Sequence, residues 1–239
     1  MLTESQVENF IKYFRVEFVN TEQQRRDAQR LRYQVYIEEF GFDEASKYPD
    51  HLEKDEYDDI ASGIIIYHIA TNEPAACVRL IPASECKELP VEHFIGSSLR
   101  QDIMQSLNDH RTNLGEISRL AVSSLFRRRP KENLSPVGWS HDEERSYPLL
   151  SVACFMACII LADALEIENN IASMEPFLPR LIQRSGPHFT EIGSLVDYHG
   201  ARSTYLVYKQ EVLDSMNAVS KRFMLDIQAD IVQQIMCIF

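Results

Sequence analysis

Along the 239-residue chain the spacing of apolar positions changes several times, and each change predicts an element. FRVEFV (14–19) alternates and predicts a short strand. TEQQRRDAQRLRYQVYIEEF follows, opened by Thr21 as an N-cap and closed at Gly41. It predicts one long helix with Leu31, Val35 and Phe40 apolar, and with Arg32 and Tyr36 one turn apart on one face. SGIIIYHIA (62–70) and AACVRLIPA (75–83) are rich in β-formers and are separated by TNEP, a hairpin signal. EISRLAVSS (116–124) predicts the next strand. The apolar run within 148–166 predicts a helix, NIASME (170–175) a strand, and PFLPRLIQRSG a helix opened by Pro176. Residues 43–59 read as a loop and 84–114 as partly helical. Residues 189–209 hold two or three closing strands, and the chain from Gln210 onward is helical.

This order predicts a mixed α/β (α+β) domain with an antiparallel start and a central strand–helix–strand crossover, one core in two layers. Residues 1–209 form the domain and 210–239 a helical extension that packs on the body or on another subunit. The run Leu149 to Leu165 falls short of a typical membrane span and carries Asp163, so a buried helix is the better expectation. The start of the chain lacks the pattern of a signal peptide.

Composition adds two constraints. Five cysteines (Cys77, Cys86, Cys154, Cys158, Cys237) have no metal-ligand spacing and imply no disulfide framework, which suits a reducing cytoplasm. A net charge of −12 argues against general nucleic-acid binding. That charge is uneven. Ten Asp or Glu stand against two Lys within 38–59, whereas Arg127, Arg128, Arg129 and Lys131 make the densest positive run.

The chemistry concentrates in GEISRLAVSSLFRRRPKEN (115–133), where Glu116 and Arg119 interrupt a strand of buried character. A buried ion-pair network with Arg32, Arg79 and the carboxylates of EKDEYD explains them structurally. Such a cluster also perturbs protonation where chemistry needs it. Glu53, Asp55 and Asp58 form a solvated acidic face or turn inward onto the arginines, and no His or Cys completes a metal set beside them.

LRYQVYIEEFGF, EKDEYD, CVRL and EISRLAV occur in that order. Together they resemble the signature of acyl-homoserine-lactone synthases and N-acyl amino acid synthases, within the GNAT acyltransferase superfamily. RRR after the EISRLAV strand, MEPFLPRLIQRSG and FTEIGSLVDYHGARSTYLV resemble more closely the acyltransferases of the PEP-CTERM/exosortase system, over roughly residues 14–209. Phe42 stands where the lactone synthases usually carry a Trp of their adenosylmethionine region, which puts the lactone-forming reaction in doubt.

The resemblance implies a GNAT-like fold whose central mixed sheet has splayed strands flanked by helices. It implies an N-acyltransferase that moves a fatty acyl group from an acyl carrier protein thioester to a primary amine, an amino acid above all. Glu116 and Arg119 would be catalytic. Arg32, Tyr36, Phe42, Glu53, Asp55, Asp58 and Arg79 would bind the acceptor. Ser118, Leu120, Ala121 and Val122 would hold the acyl-pantetheine, and Arg127, Arg128, Arg129 and Lys131 the carrier protein. The donor's phosphopantetheine would come and go with the substrate, with no tightly bound cofactor and no metal. Met174 would line the acyl channel or fill the core. Asp197, Tyr198, His199, Gly200 and Arg202, which match the family's closing-strand motif, would wall the acyl pocket or close the fold. An acyl-homoserine-lactone synthase and a non-catalytic module binding acyl carrier or lipid are the alternatives.

Overall fold

The computed structural model describes residues 2–127 and 140–236. In chain order these form α1 (Glu4–Tyr13), β1 (Phe14–Phe18), α2 (Glu22–Arg32), β2 (Ser62–His68), β3 (Pro74–Pro82), α3 (Pro90–Ile95), α4 (Gln101–Asn108) and β4 (Leu114–Val122). After these come α5 (His141–Ser146), α6 (Leu149–Ala164), β5 (Asn169–Met174), α7 (Phe177–Gln183), β6 (Thr190–Glu191), β7 (Val196–Asp197), β8 (Ala201–Tyr208), α8 (Lys209–Ser215) and α9 (Ala218–Met236). The strands form one sheet in the order β1-β2-β3-β4-β5-β8-β6, with β7 paired to β8. Neighbours are antiparallel except β4 and β5, which are parallel and joined through α6. The expected mixed α/β class and crossover are therefore present.

The sheet is covered on both faces, which makes three layers rather than the expected two. Ile64, Ile66, Val78 and Leu80 pack with α1, α6 and α9 on one side. Ile65, Tyr67 and Cys77 pack with α2, and Ile81 with α3 and α4, on the other. Successive side chains of a strand point to opposite faces, so the unbroken apolar run IIIY in β2 requires a cover on each.

Helix α6 is buried nearly all round, from Leu149 to Ala162. A helix that is apolar on every side needs neighbours on every side. The sheet supplies one and α9 another, with Phe223, Ile227 and Ile231 buried in the shared core. Phe223 meets Phe10 of α1 edge-on, ring centroids 5.0 Å apart. Gln234 also guards the outer edge of β1, accepting from the Phe18 N–H (2.8 Å) and donating to the Val16 carbonyl (3.1 Å). It gives two backbone groups of an edge strand a partner within the same chain. The C-terminal helices thus pack on the body.

Thr21 caps α2 as expected, its hydroxyl accepting from the Gln24 N–H at 3.2 Å. The predicted single helix changes pitch after Arg32. Tyr33–Glu39 is π-helical, with the Phe40 N–H donating to the Val35 carbonyl. The wider turn keeps Val35 and Ile37 buried while Tyr36 reaches β4. Single π turns of this kind recur at functional sites.

If α9 belongs to the core, Phe223→Ala should lower unfolding free energy by about 3–5 kcal/mol. Chemical denaturation followed by circular dichroism reads this directly. An unchanged midpoint would show that α9 docks without contributing to the fold.

Candidate functional site

Three arginines and three carboxylates interlock between α2, β3, β4 and the loop at 53–59. Arg32 donates from Nε to Glu53 (2.5 Å) and from both terminal nitrogens to Asp58 (2.7 and 2.8 Å). Arg79 grips Asp55 the same way (2.6 and 3.1 Å) and donates from Nε to the Ser118 hydroxyl (3.2 Å). Arg119 closes the lattice, donating to Glu53 and to Asp55 at 2.9 Å each. Two-pronged guanidinium–carboxylate contacts fix direction as well as distance. Asp55 additionally caps the short turn Glu56–Asp59 by accepting from the Tyr57 N–H (3.0 Å). The inward-turned reading of EKDEYD is the one observed.

Burial opposes ionisation of Asp55 and Asp58, yet their arginine partners outweigh it and hold both pKa values below the usual carboxylate range. Burial likewise opposes the charge on Arg32, and Asp58 and Glu53 more than offset it.

Arg119 adopts φ +54°, a left-handed conformation that disfavours residues with a Cβ. It stands at a bulge. Arg79 pairs with Ser118 and Cys77 with Ala121, so Arg119 and Leu120 together oppose Val78. A bulge bends its strand and strengthens the local twist. Strand β4 has parted from β5 before it reaches the bulge: their register runs only from Leu114↔Asn169 to Glu116↔Ile171.

A cavity of about 700 Å³ occupies the gap. Glu116, Ser118 and Tyr57 line it from the α3 side of the sheet, and Ala172, Met174 and Phe155 from the α6 side. Because it touches both faces, it passes between the strands. Met174 therefore both lines the cavity and belongs to the core.

Glu116 lies at the last β4–β5 pair, 4% exposed, with Oε2 accepting from the Val91 N–H at the start of α3 (2.9 Å). Among the described residues no cation lies within ion-pair distance of it. Burial pushes its pKa up to about 7; the Val91 N–H, Arg79 and Arg119 pull only partly the other way. A buried carboxyl with its pKa near neutrality is poised to exchange a proton.

The other expected site residues fall as follows. Tyr36 donates to the Leu120 carbonyl (2.8 Å), so that carbonyl already has a partner. Tyr36, Phe42, Glu53, Asp55 and the β4 residues Ser118 to Val122 line the cavity, whereas Arg32 and Arg79 stand behind it. Arg127 also lines the cavity but is paired with Glu39 and lies over the Phe40 ring. Arg128, Arg129 and Lys131 lie outside the described residues. Tyr198, His199 and Arg202 border the cavity, and so do Phe94 and Glu175. The closing-strand motif was the signal for the first three. Among the described residues no three His, Cys, Asp or Glu side chains are grouped to hold a metal, and no helix is long and apolar enough to cross a membrane.

Residues 31–135 match the family model of an acetyltransferase (GNAT) domain. No curated protein matches the chain. TofI, solved in a ternary complex with an inhibitor and MTA, superposes with a TM-score of 0.61 at 17% identity, covering 91% of this chain and 99% of TofI. The AHL synthase LasI gives 0.57 at 13%, covering 89% and 94%. FeeM, an N-acyl amino acid synthase from uncultured soil microbes, gives 0.59 at 14%, covering 85% and 94%. At such identities the likeness concerns architecture, and it agrees with the splayed sheet: the fold is GNAT-like.

The raised pKa of Glu116 has a sign that stability can test. Between the unfolded carboxyl value of 4.5 and about 7, the folded chain keeps a proton that the unfolded chain has lost. Folding stability from this group therefore falls as pH rises through that window and levels off above it. Glu116→Gln, whose amide oxygen can still accept from Val91, should gain stability relative to wild type as pH rises from 4.5 to 7. Parallel denaturation curves at both pH values would contradict the raised pKa.

Proposed function

We propose that the protein is an N-acyltransferase that moves a fatty acyl group from a pantetheine thioester to a primary amine, with an amino acid as the acceptor. The observation that carries the reading is Glu116: a buried carboxylate without a cationic partner among the described residues, at the waist of a cavity that pierces the sheet. The likeness in fold to an N-acyl amino acid synthase and an AHL synthase supports it.

In this reading the acyl chain lies on the α6 side among Phe155, Met174 and Ile182. The amine approaches from the Glu116 side, where the ionised carboxylate takes a proton from its ammonium. The freed nitrogen attacks the thioester carbon, a C–N bond forms and the C–S bond breaks. The nitrogen's second proton leaves with the sulfur as a thiol, and Glu116 returns the first to solvent. The β5-facing edge of β4 beyond Glu116, which has no strand partner among the described residues, offers backbone groups to the pantetheine arm and to the developing oxyanion. The arginine lattice positions β4 and keeps its charge balanced.

An acyl carrier protein is the favoured donor. The stretch after β4 lacks the closely spaced glycines of a pyrophosphate cradle and carries a basic run instead. Arg127 is engaged with Glu39, so the docking role rests chiefly on Arg128, Arg129 and Lys131. Membership of the PEP-CTERM/exosortase system rests on the sequence resemblance. The lactone synthase is the second reading, favoured by the likeness to TofI and opposed by Phe42. Release of methylthioadenosine from added adenosylmethionine would select it.

Glu116→Gln should lower turnover by at least ~10²-fold while preserving the fold. A base with pKa about 7 must be ionised to act, so the wild-type rate should rise with pH through 7 and then level. Stopped assays of thiol release across pH 5–9 test both, and an undiminished rate in the variant removes Glu116 from the role. Replacing Arg128, Arg129 and Lys131 by Ala should raise KM for the acyl carrier more than it lowers kcat. An equal loss on short acyl-pantetheine would contradict a docking role.

A further inference from the structure

Of the guanidiniums that line the cavity, one has no ion-pair partner among the described residues. Three guanidiniums line it: Arg119, Arg127 and Arg202. Arg119 is matched by Glu53 and Asp55, and Arg127 by Glu39. Arg202, at the start of β8, has no carboxylate within ion-pair distance among the described residues. Its Nε and one terminal nitrogen both donate to the His199 carbonyl, at 3.3 and 3.2 Å. A guanidinium has five N–H donors, so three remain, two of them on its outer edge.

The turn that holds Arg202 is built for this. His199 and Gly200 take φ +52° and +93°, and the Tyr198 N–H donates to the Gly200 carbonyl, which folds the β7–β8 connection tightly. This turn brings the His199 carbonyl to one side of the guanidinium, and the remaining donors have no partner among the described residues. Around it lies an aromatic rim. Phe42 is 5.9 Å from the Arg202 guanidinium carbon and 5.2 Å from the His199 ring, and Tyr198 stacks on Phe94 at 5.5 Å. Tyr198 feels both charged groups: burial raises its hydroxyl pKa, Arg119 and Arg202 lower it, and Glu116 raises it again. Glu175 shares the rim but does not reach Arg202 as an ion pair.

We infer that Arg202 is the specificity residue for the acceptor, binding the α-carboxylate of an amino acid whose amine faces Glu116. The inference rests on the acyltransferase reading and adds to it the residue that distinguishes an amino acid from a simple amine. A carboxylate fits the open edge as a two-pronged acceptor, and the apolar rim keeps water from weakening the pair. The alternative anion, the donor's phosphate, belongs with the basic run that follows β4.

The test pairs each acceptor with its decarboxylated counterpart: L-phenylalanine with phenethylamine, and L-leucine with isoamylamine. Decanoyl-pantetheine serves as donor, and thiol release is the readout. Wild type should favour the amino acids in kcat/KM. In Arg202→Gln the amino acid to amine ratio should fall by roughly 10- to 100-fold, the range of a charge-assisted contact, mainly through KM. Arg202→Lys should restore part of it, and circular dichroism melts confirm that each variant folds. A loss in Arg202→Gln that is equal for acids and amines overturns the inference and leaves the acyltransferase reading standing. So does a wild type indifferent to the carboxylate. Absence of transfer to every acceptor overturns both.

Discussion

The clamp on Arg119 is the interaction on which the rest depends. A residue with a Cβ held in the left-handed region costs about 1–2 kcal/mol, and nothing local in EISRLAV recovers it. Two ion pairs hold it there, and withdrawing Arg119 would leave the buried Glu53 with one charge partner fewer. The left-handed residue and its two ion pairs occur together, and β4 bends where Arg119 meets Glu53 and Asp55. The carboxylates reach that point only because Arg32 and Arg79 hold the opposite edges of the same loop.

The same lattice divides its carboxylates into two kinds. Asp55 and Asp58 share arginine partners and stay ionised below their ordinary range, as burial alone would not allow. Glu116 lies on the same face of the same strand as Ser118, yet the arginines are already engaged, and burial dominates. One environment holds Asp55 and Asp58 as charges that shape the backbone and raises the Glu116 carboxyl toward neutrality. Pairs of groups driven apart in this way mark the acid–base positions of many enzymes.

Much of this was legible in the chain. Alternation in FRVEFV and the hairpin signal at TNEP predicted β1 to β3 because strand period is a local property. Glu116 and Arg119 were visible because charges in a buried strand demand partners, whereas Arg32, Arg79 and the 53–58 carboxylates were found through the family resemblance. What stayed hidden depends on approach between distant segments. The third layer needed α9 to fold back over α6, the π turn answers to packing against β4, and the pairing of Arg127 with Glu39 joins residues 88 positions apart. Arg202 carried no local sign of being unmatched, since that is a statement about every carboxylate that does not reach it.

A gap in a sheet ordinarily exposes an edge and weakens the whole. Here each side of the gap is complete without the other. Strand β4 keeps its ladder with β3 on both sides of the bulge, from Ala76↔Val122 to Pro82↔Gly115. Strand β5 pairs along its full length with β8, from Asn169↔Tyr208 to Met174↔Ser203. Three register pairs join β4 to β5, and α6 spans the far side of the opening. Beyond Glu116 the β5-facing edge of β4 has no strand partner among the described residues, and the Tyr36 hydroxyl meets the Leu120 carbonyl in place of one. The sheet is thus least complete where the cavity passes through it, and Glu116 sits at the last rung before that point.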